Sequence, residues 1–555
     1  MASRTSPKDR VWSRREIEGL IAQGRKIIIL DGQVIKADAW LPYHPGGNLA
    51  ILHMVGRDGT DEIRALHSRE TLGQMQKYVI GRIEGRWQNF TPPIQGGVFT
   101  ESIGKGGGEL QEQEDSSSCS STAPSPIFEP TDGLRHRNHT ETSSISSLAS
   151  DDDLPEAAEQ NATPKNHYFV CNNPSNSLLN YPALNATAQD AVISKYRALE
   201  VRLRAAGLYN CNYTAYAWEI TRYLFLITSC FACLHIQQYA IAGIFLGLFW
   251  HQLVFTAHDA GHMGITHNFH LDTSIGIFIA NFCGGLSIGW WKRSHNVHHI
   301  VTNMPEHDQD IQHMPFFAVS TKFFQSLYST YHGRVLAFDK LAQVLLSVQH
   351  WTYYPILALA HFNLYVQSYI YLFSKQPPRK GPAWWHWYLE LVGIAVFWYW
   401  FGYLVCASIP THLSRFAFVM TSHVFSSPLH VQITLSHFAM STVDVGVAES
   451  FAQRMLRTTM DVDCPAWLDF VHGGLQFQAV HHLFPRLPRH NLRKAQSYVR
   501  EFCEEVGIPY VIYGFGRGNL EVLGRLEEVA RQVSYFQECQ KVAAKDLIEG
   551  HHAVS

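Results

Sequence analysis

Two neighbouring apolar stretches, YAWEITRYLFLITSCFACLHI (216–236) and AIAGIFLGLFWHQLVFTA (240–257), constrain this chain more than any other feature. Each approaches the roughly 20 residues that a helix needs to cross a bilayer, and only a few residues separate them. They predict a helical hairpin in a membrane. A second pair of spans is expected at about 351–373 and 384–409. Between the pairs, SIGIFIANFCGGLSIGWW (274–291) is apolar but interrupted by Gly284 and Gly285, which suits a re-entrant or interfacial element. Four spans would return the chain to its starting side. Charge agrees only in part: Lys292, Arg293, Arg197, Arg202 and Arg204 fall on the expected cytosolic side, but Lys375, Arg379 and Lys380 fall in a loop placed in the lumen.

A mean hydropathy of -0.09 shows that these stretches are balanced by strongly polar ones. The start, MASRTSPKDRVW, has no apolar core of a secretory signal, so a cytosolic N-terminus is expected. Residues 1–85 read as a small α+β domain, in which IIILDGQVI forms a hairpin about Asp31-Gly32 and NLAILHMVG is helical. Residues 86–180, with GKGGGE, DSSSCSST and SSISSLASDDD, are too poor in apolar side chains to form a core and are expected to be a flexible linker. Residues 181–515 form the all-α multi-span domain, and 516–555 a polar C-terminal tail. The sequons at Asn138 and Asn161 fall in the linker and are expected to be unmodified. The cysteines are scattered, and Cys230 and Cys233 lie in an apolar run, so no disulfide framework is read. A formal net charge of -3 leaves no footprint for nucleic acid.

Histidine carries the chemistry. LPYHPGG puts His44 in a loop whose glycines let backbone approach a flat ligand, and His67 follows in ALHS. Two such imidazoles on a haem iron leave no open position, which suits one-electron transfer. One His-Pro-Gly-Gly alone is also compatible with a plain turn. HDAGH sets His258 and His262 at i and i+4, and SHNVHH sets His295, His298 and His299 at i, i+3 and i+4, each on one helical face. QAVHH repeats the second spacing with Gln478, His481 and His482. Imidazole suits iron, zinc and copper, so residue type alone leaves the metal open. Eight or nine ligands exceed one ion's needs, and two ions is the economical count. His437, in QITLSHFAMS, is a further ligand candidate, and His430 on the same face is placed around it. Asp259, Asn303, Asp308 and Asp310 are candidates for orienting the ligand imidazoles. His53 is expected at the surface, while His267, His270, His307 and His472 are read as structural or supporting.

HPGG, GRDGTDEIRALHS and KYVIGRI together resemble the cytochrome b5 family across residues 11–83, which implies haem b with His44 and His67 as axial ligands. HDAGH, SHNVHH and QAVHH resemble the membrane fatty-acyl desaturases, in particular the front-end desaturases fused to cytochrome b5, whose third box begins with glutamine. In that family Gln478 would offer a carbonyl oxygen to metal or a hydrogen bond to a ligand. SHNVHHIVTNMPEHDQDIQHMP and VHGGLQFQAVHHLFPRLPRHNLRKA look most like the sphingolipid 8-desaturases, which act on the long-chain base of ceramide, and the long linker resembles fungal members. Gln309 and Val480 depart from the common pattern without touching a ligand position. The resemblance implies two irons, dioxygen as co-substrate, and electrons from NADH through a separate cytochrome b5 reductase, in the endoplasmic reticulum membrane with haem and boxes facing the cytosol. Rival readings are a front-end fatty-acid desaturase of the delta-5 or delta-6 type, a cytochrome b5-fused fatty-acid 2-hydroxylase, and a membrane-anchored haem carrier with vestigial boxes.

Overall fold

The computed structural model describes residues 7–100 and 181–552, with side chains to residue 545. Residues 101–180 of the expected linker, with both sequons, lie outside the described residues.

The N-terminal unit is built on a four-stranded sheet in the order β1 (Val11–Trp12), β4 (Val79–Ile83), β3 (Gln33–Lys36), β2 (Ile27–Leu30), with β1 parallel to β4 and the other pairs antiparallel. Asp31 and Gly32 both have positive φ, 52° and 72°, which is the backbone a two-residue hairpin between right-twisted strands requires. Helix α1 (Arg14–Ala22) opens on a capping box between Ser13 and Glu16. α2 (Leu49–Leu52), α3 (Thr60–Leu66) and α4 (Arg69–Met75) cover the sheet. Residues 86 to 100, expected to begin the linker, stay packed on this unit: Trp87 donates to the Gly56 carbonyl at 3.0 Å, and Phe90 meets Phe99 edge-on. Their aromatics find an apolar surface that the surrounding Gly and Ser content concealed.

The larger part begins with α5 (Ala186–Ala205), followed by the hairpin α6 (Tyr213–His235) and α7 (Tyr239–Gly261). α8 (Phe269–Ile277) runs on to Cys283 and meets α9 (Ile288–Val301) at 118°. The bend is set at Gly285, whose φ of 69° and contact with the Phe397 ring leave no place for a side chain. Then come α10 (Lys340–Ser347), α11 (Gln349–Ala358), α12 (Ala360–Leu372), α13 (His386–Phe397) with a π-helical continuation to Cys406, α14 (His412–Ser426) and α15 (Pro428–Phe438). A cap over one end of the bundle is formed by α16 (Phe451–Thr458), α17 (Asp469–His472), α18 (Gln478–Leu483), α19 (Leu492–Val506) and α20 (Phe515–His552). The expected C-terminal tail is thus a helix, anchored by buried Val522, Leu526, Val529 and Val533.

Among the described residues three helices are long and apolar enough to cross a membrane, α6, α7, and α13 with its continuation, and the bent pair α8–α9 makes a fourth if it is counted as one span. The expected span at 351–373 is not one of them. It breaks at Leu359 into α11 and α12; the start of α11 is held at the cap, where Gln349 is hydrogen-bonded to Ala318 and Leu526, and the end of α12 is held at the start of α13, where the Leu372 carbonyl accepts from Trp387. Pro355 within α11 and polar Gln349, His361 and Gln367 explain why hydropathy overstated this segment. α14 and α15 instead run parallel to the span α7, with Phe418 and Thr421 against Gly243 and Ser422 against Gly247. Gly243 and Gly247 form a small-xxx-small face that lets the two backbones close up, and Thr421 donates to the Ala240 carbonyl at 3.0 Å. Lys375, Arg379 and Lys380 therefore do not sit at the far side. Their loop packs Gly381 on Tyr43 and lines a pocket with Pro45, both in the N-terminal unit.

Candidate functional site

His44 and His67 face each other with ring centroids 5.9 Å apart. Each directs Nδ1 at a backbone carbonyl, of Gly47 at 2.8 Å and Ile63 at 2.9 Å, so both Nε2 atoms are free to turn inward. Two imidazole–metal bonds of about 2 Å plus a ring radius on each side come to roughly 6 Å, so the pair fits a bis-histidine haem. Burial pulls both imidazoles below their usual range, His67 to about 4 with His44 adding to the effect, which keeps them in the neutral, ligating form. His53 is not at the surface. It is buried between Gln95, whose amide lies 2.9 Å from its Nδ1, and His307, 5.2 Å away between ring centroids, because the larger part of the chain covers it.

The three boxes meet at the cap end of the bundle. α7 ends at His258 and His262, α9 carries His295, His298 and His299, and the short α18 carries His481 and His482. Their nitrogens form two groups. His258, His262, His295 and His481 converge within 4.8 Å of one another, and so do His298, His437 and His482, the last two approaching from α15 and α18. His299 stands between them, 4.3 Å from His482 and 5.0 Å from His481 by ring centroid. Two nitrogen pairs point straight at each other, His295 with His299 at 3.1 Å and His298 with His482 at 3.3 Å. The Nε2 atoms of His262 and His481 have no partner among the described residues. Burial and mutual repulsion hold His295, His299, His481 and His482 well below the usual imidazole range. Buried imidazole nitrogens that converge on one another in this way are the donor set that two transition-metal ions require. Gln478 is buried on the first turn of α18, one turn before His481.

Asp308 receives the His298 Nδ1 at 2.9 Å and the Asn303 backbone N–H at 2.7 Å, and Asp310 lies 3.5 Å from the same imidazole. Burial alone would depress His298, but these two carboxylates outweigh it and raise it to about 9. The Asn303 side chain reaches no imidazole. It donates to the carbonyls of His437 and Thr458, tying the backbone of the α15 end to α16. Asp259 holds none either, since its carboxylate faces away from the boxes and binds Tyr216 and Arg489. His430 does not surround His437. It belongs to a separate histidine group deeper in the bundle, with His251, His361 and His423, which sequence reading missed although His251 and His430 each precede a box-region histidine by seven residues. His267 is tied up by the carbonyls of Met263 and Tyr209.

The N-terminal unit docks directly on α9. Gly46 packs on Asn296 and Gly47 on Arg293, Arg293 donates to Asn48 at 2.9 Å, and Ile51 and Met54 share a core with Val297 and Ile300. Arg486 donates to the His67 carbonyl at 2.9 Å, and the pairs Arg454–Glu62 and Arg197–Asp61 close the contact.

Comparison with known proteins agrees with this construction. The model for fatty acid desaturases matches residues 234–514, and that for the cytochrome b5-like heme/steroid binding domain matches residues 13–84. A "Delta 8-(E)-sphingolipid desaturase" of Emericella nidulans is 52% identical over 556 residues, covering 100% of both chains. A protein of the same name from Candida albicans is 44% identical over 97% of this chain and 99% of its own. The "Delta(8)-fatty-acid desaturase 1" of Arabidopsis thaliana is 38% identical over 61% of this chain and 75% of its own. The chain belongs to the fatty acid desaturase family, fused to an N-terminal cytochrome b5-like domain.

Proposed function

We propose that this chain is a membrane-bound delta-8 sphingolipid desaturase, which places a double bond in the long-chain base of ceramide with dioxygen and electrons relayed by its own haem domain. The observation that carries the reading is the two-faced helix α9, with the box histidines on one side and the haem loop of His44 on the other. The substrate class rests on the names of relatives matched end to end. His258, His262, His295 and His481 would hold one iron, and His298, His437 and His482 the other, with His299 between them and Gln478 offering a carbonyl oxygen or a hydrogen bond. The irons, once bound, supply the dioxygen activation needed to remove hydrogen from two neighbouring methylenes.

The protein's own share is positional. Asp308 accepts the Nδ1 proton of His298, which fixes the tautomer and leaves Nε2 for metal. Asn303 clamps α15 to α16 so that His437 meets His298 and His482. His44 and His67 hold haem b against α9, and a separate NADH-dependent cytochrome b5 reductase supplies electrons to it. No strand followed by a Gly-x-Gly-x-x-Gly turn is found in the sequence that would bind the nucleotide. Lys375, Arg379 and Lys380 share an end with Lys292 and Arg293, and this positive bias favours a cytosolic cap in the endoplasmic reticulum membrane.

The test is lipid analysis of cells lacking this activity and supplied with the chain. Long-chain bases unsaturated at carbon 8 are expected, and they should vanish with His298→Ala. New double bonds confined to free or glycerolipid-bound fatty acids would refute the substrate assignment.

A further inference from the structure

His251 on α7, His361 on α12, His423 on α14 and His430 on α15 form a histidine group inside the helical bundle, each less than a tenth exposed. His361 and His423 lie 4.9 Å apart by ring centroid and share the Trp250 ring at 5.4 and 5.3 Å, while His430 is 6.4 Å from His361. His251 is near enough to His430 to influence it electrostatically. One side of the group is anchored. His361 Nδ1 is 2.8 Å from the Ser426 hydroxyl, and His423 Nδ1 is 2.7 Å from the Val419 carbonyl. The other side is not: the Nε2 atoms of His251, His361 and His430 have no partner among the described residues, nor have the side-chain oxygens of Gln252 and Gln432. Unsatisfied polar atoms are costly in an apolar bundle, and three of them in one layer require a polar occupant. A metal does not suit the group, because among the described residues its nitrogens do not converge as those of the boxes do.

The depth of this layer identifies the occupant. His251 precedes His258 by seven residues on α7, and His430 precedes His437 by seven on α15, so each pair lies on one face about 10.5 Å apart along its helix. Two helices therefore place two of the three free imidazoles, those of His251 and His430, at the same distance from the metal ligands, and His361 lies 6.4 Å from His430 by ring centroid. The seven bonds from C1 to C8 of an extended chain cover roughly 8 Å, at about 1.2 Å per bond. A hydrogen bond of about 3 Å from a head oxygen to an imidazole extends this to roughly 11 Å.

We propose that His251, His361 and His430 bind the hydroxyl and amide head of the long-chain base, and that their distance from the metal layer selects carbon 8 for reaction. This deepens the sphingolipid reading and rests on it. Each free Nε2 donates or accepts according to the tautomer its ring adopts, and the unpaired oxygens of Gln252 and Gln432 add acceptors, which together match the mixed donors and acceptors of an amino-alcohol head. A plain acyl chain presents only a carboxylate or ester there and satisfies fewer of them.

The test compares an N-acyl dihydro long-chain base with its 1-deoxy and 3-deoxy analogues on the full-length chain in lipid nanodiscs. In the wild type, removal of one hydroxyl should raise KM about tenfold or more, because a buried partner is left unpaired. Equal KM values for all three would overturn the proposal without any variant. In His361→Leu and His430→Leu the preference should fall to within about threefold, double bonds should spread to neighbouring carbons, and haem and iron per chain should stay constant. Variants that bind haem and iron yet keep both the preference and the carbon-8 position would also overturn it. Failure of the sphingolipid reading itself looks different, since the wild type would then form no carbon-8 product from any of the three.

Discussion

Glu62→Gln should uncouple the haem domain from the metal centre while leaving both cofactors bound. Glu62 and Arg454 pair at 2.8 Å across the docking surface, and both side chains are only 5% exposed. Neutralising one partner of a buried pair leaves the other charge uncompensated, at a cost of about 3–5 kcal/mol. Here the penalty is aggravated by Arg57, which is buried within electrostatic reach of Arg454. The domains remain tethered, so the penalty falls on docking rather than on either fold. About 3 kcal/mol shifts a docking equilibrium by roughly a hundredfold. The partly exposed Arg197–Asp61 pair cannot make up the difference, since such pairs contribute at most about 1 kcal/mol. The assay is stopped-flow reoxidation of the reduced haem on mixing with substrate and dioxygen. A fall of about tenfold or more is expected with an unchanged haem spectrum, and Glu62→Leu combined with Arg454→Leu should recover most of the rate, because an apolar pair carries no desolvation debt. An unchanged rate in Glu62→Gln would refute the view that the docked arrangement is the one that transfers electrons.

Asp308→Asn should lower iron affinity about 10- to 100-fold and leave the haem spectrum intact, as checked by iron analysis after dialysis against a chelator. His44→Ala or His67→Ala should abolish the haem spectrum and the activity together, with iron retained, in cells lacking other cytochrome b5. Gln478→His should keep partial activity and Gln478→Ala lose most of it, whereas wild-type rates for the alanine variant would make Gln478 a bystander. Gly243→Val should destabilise the bundle by about 1–3 kcal/mol through overpacking against α14, read as a lower unfolding temperature in detergent. Deleting residues 105–150 should change turnover only modestly.

The histidine spacings were legible because a metal site needs several donors on one face, and i, i+3 and i+4 state that face without reference to the rest of the chain. The Asp31-Gly32 hairpin was legible for the same local reason. What sequence could not supply was direction in space. Asp259 neighbours His258 in the chain, yet on a helix the next residue is turned by about 100° and falls to Arg489 and Tyr216 instead. His53 looks exposed within its own small domain and is buried by Gln95 of the segment that follows that domain and by His307 of the larger part. The misplaced span at 351–373 has the same origin, since hydropathy registers apolar length but not that the segment breaks at Leu359 and that Gln349 is held at the cap.

Helix α9 shows how one local pattern commits a larger arrangement. With His295, His298 and His299 gathered on one side, the 3.6-residue repeat turns Arg293, Asn296, Val297 and Ile300 toward the opposite side. That side is half apolar and half polar, which suits neither bulk lipid nor free solvent, and it is covered by Ile51 and Met54 beneath and by Asn48 and the Gly46-Gly47 loop at the edge. The loop that packs there is the one that carries His44, so the loop that would hold haem and the histidines that would hold metal lie on opposite sides of one helix, whose width is roughly 10 Å. If electrons pass across this contact, the expected outcome is that the length of the segment between the domains can vary at little cost to transfer. The constraint falls on the α9 surface instead. A substitution such as Asn296→Leu should therefore slow haem reoxidation more than removing about 45 linker residues does, and the reverse order would place the electron route elsewhere.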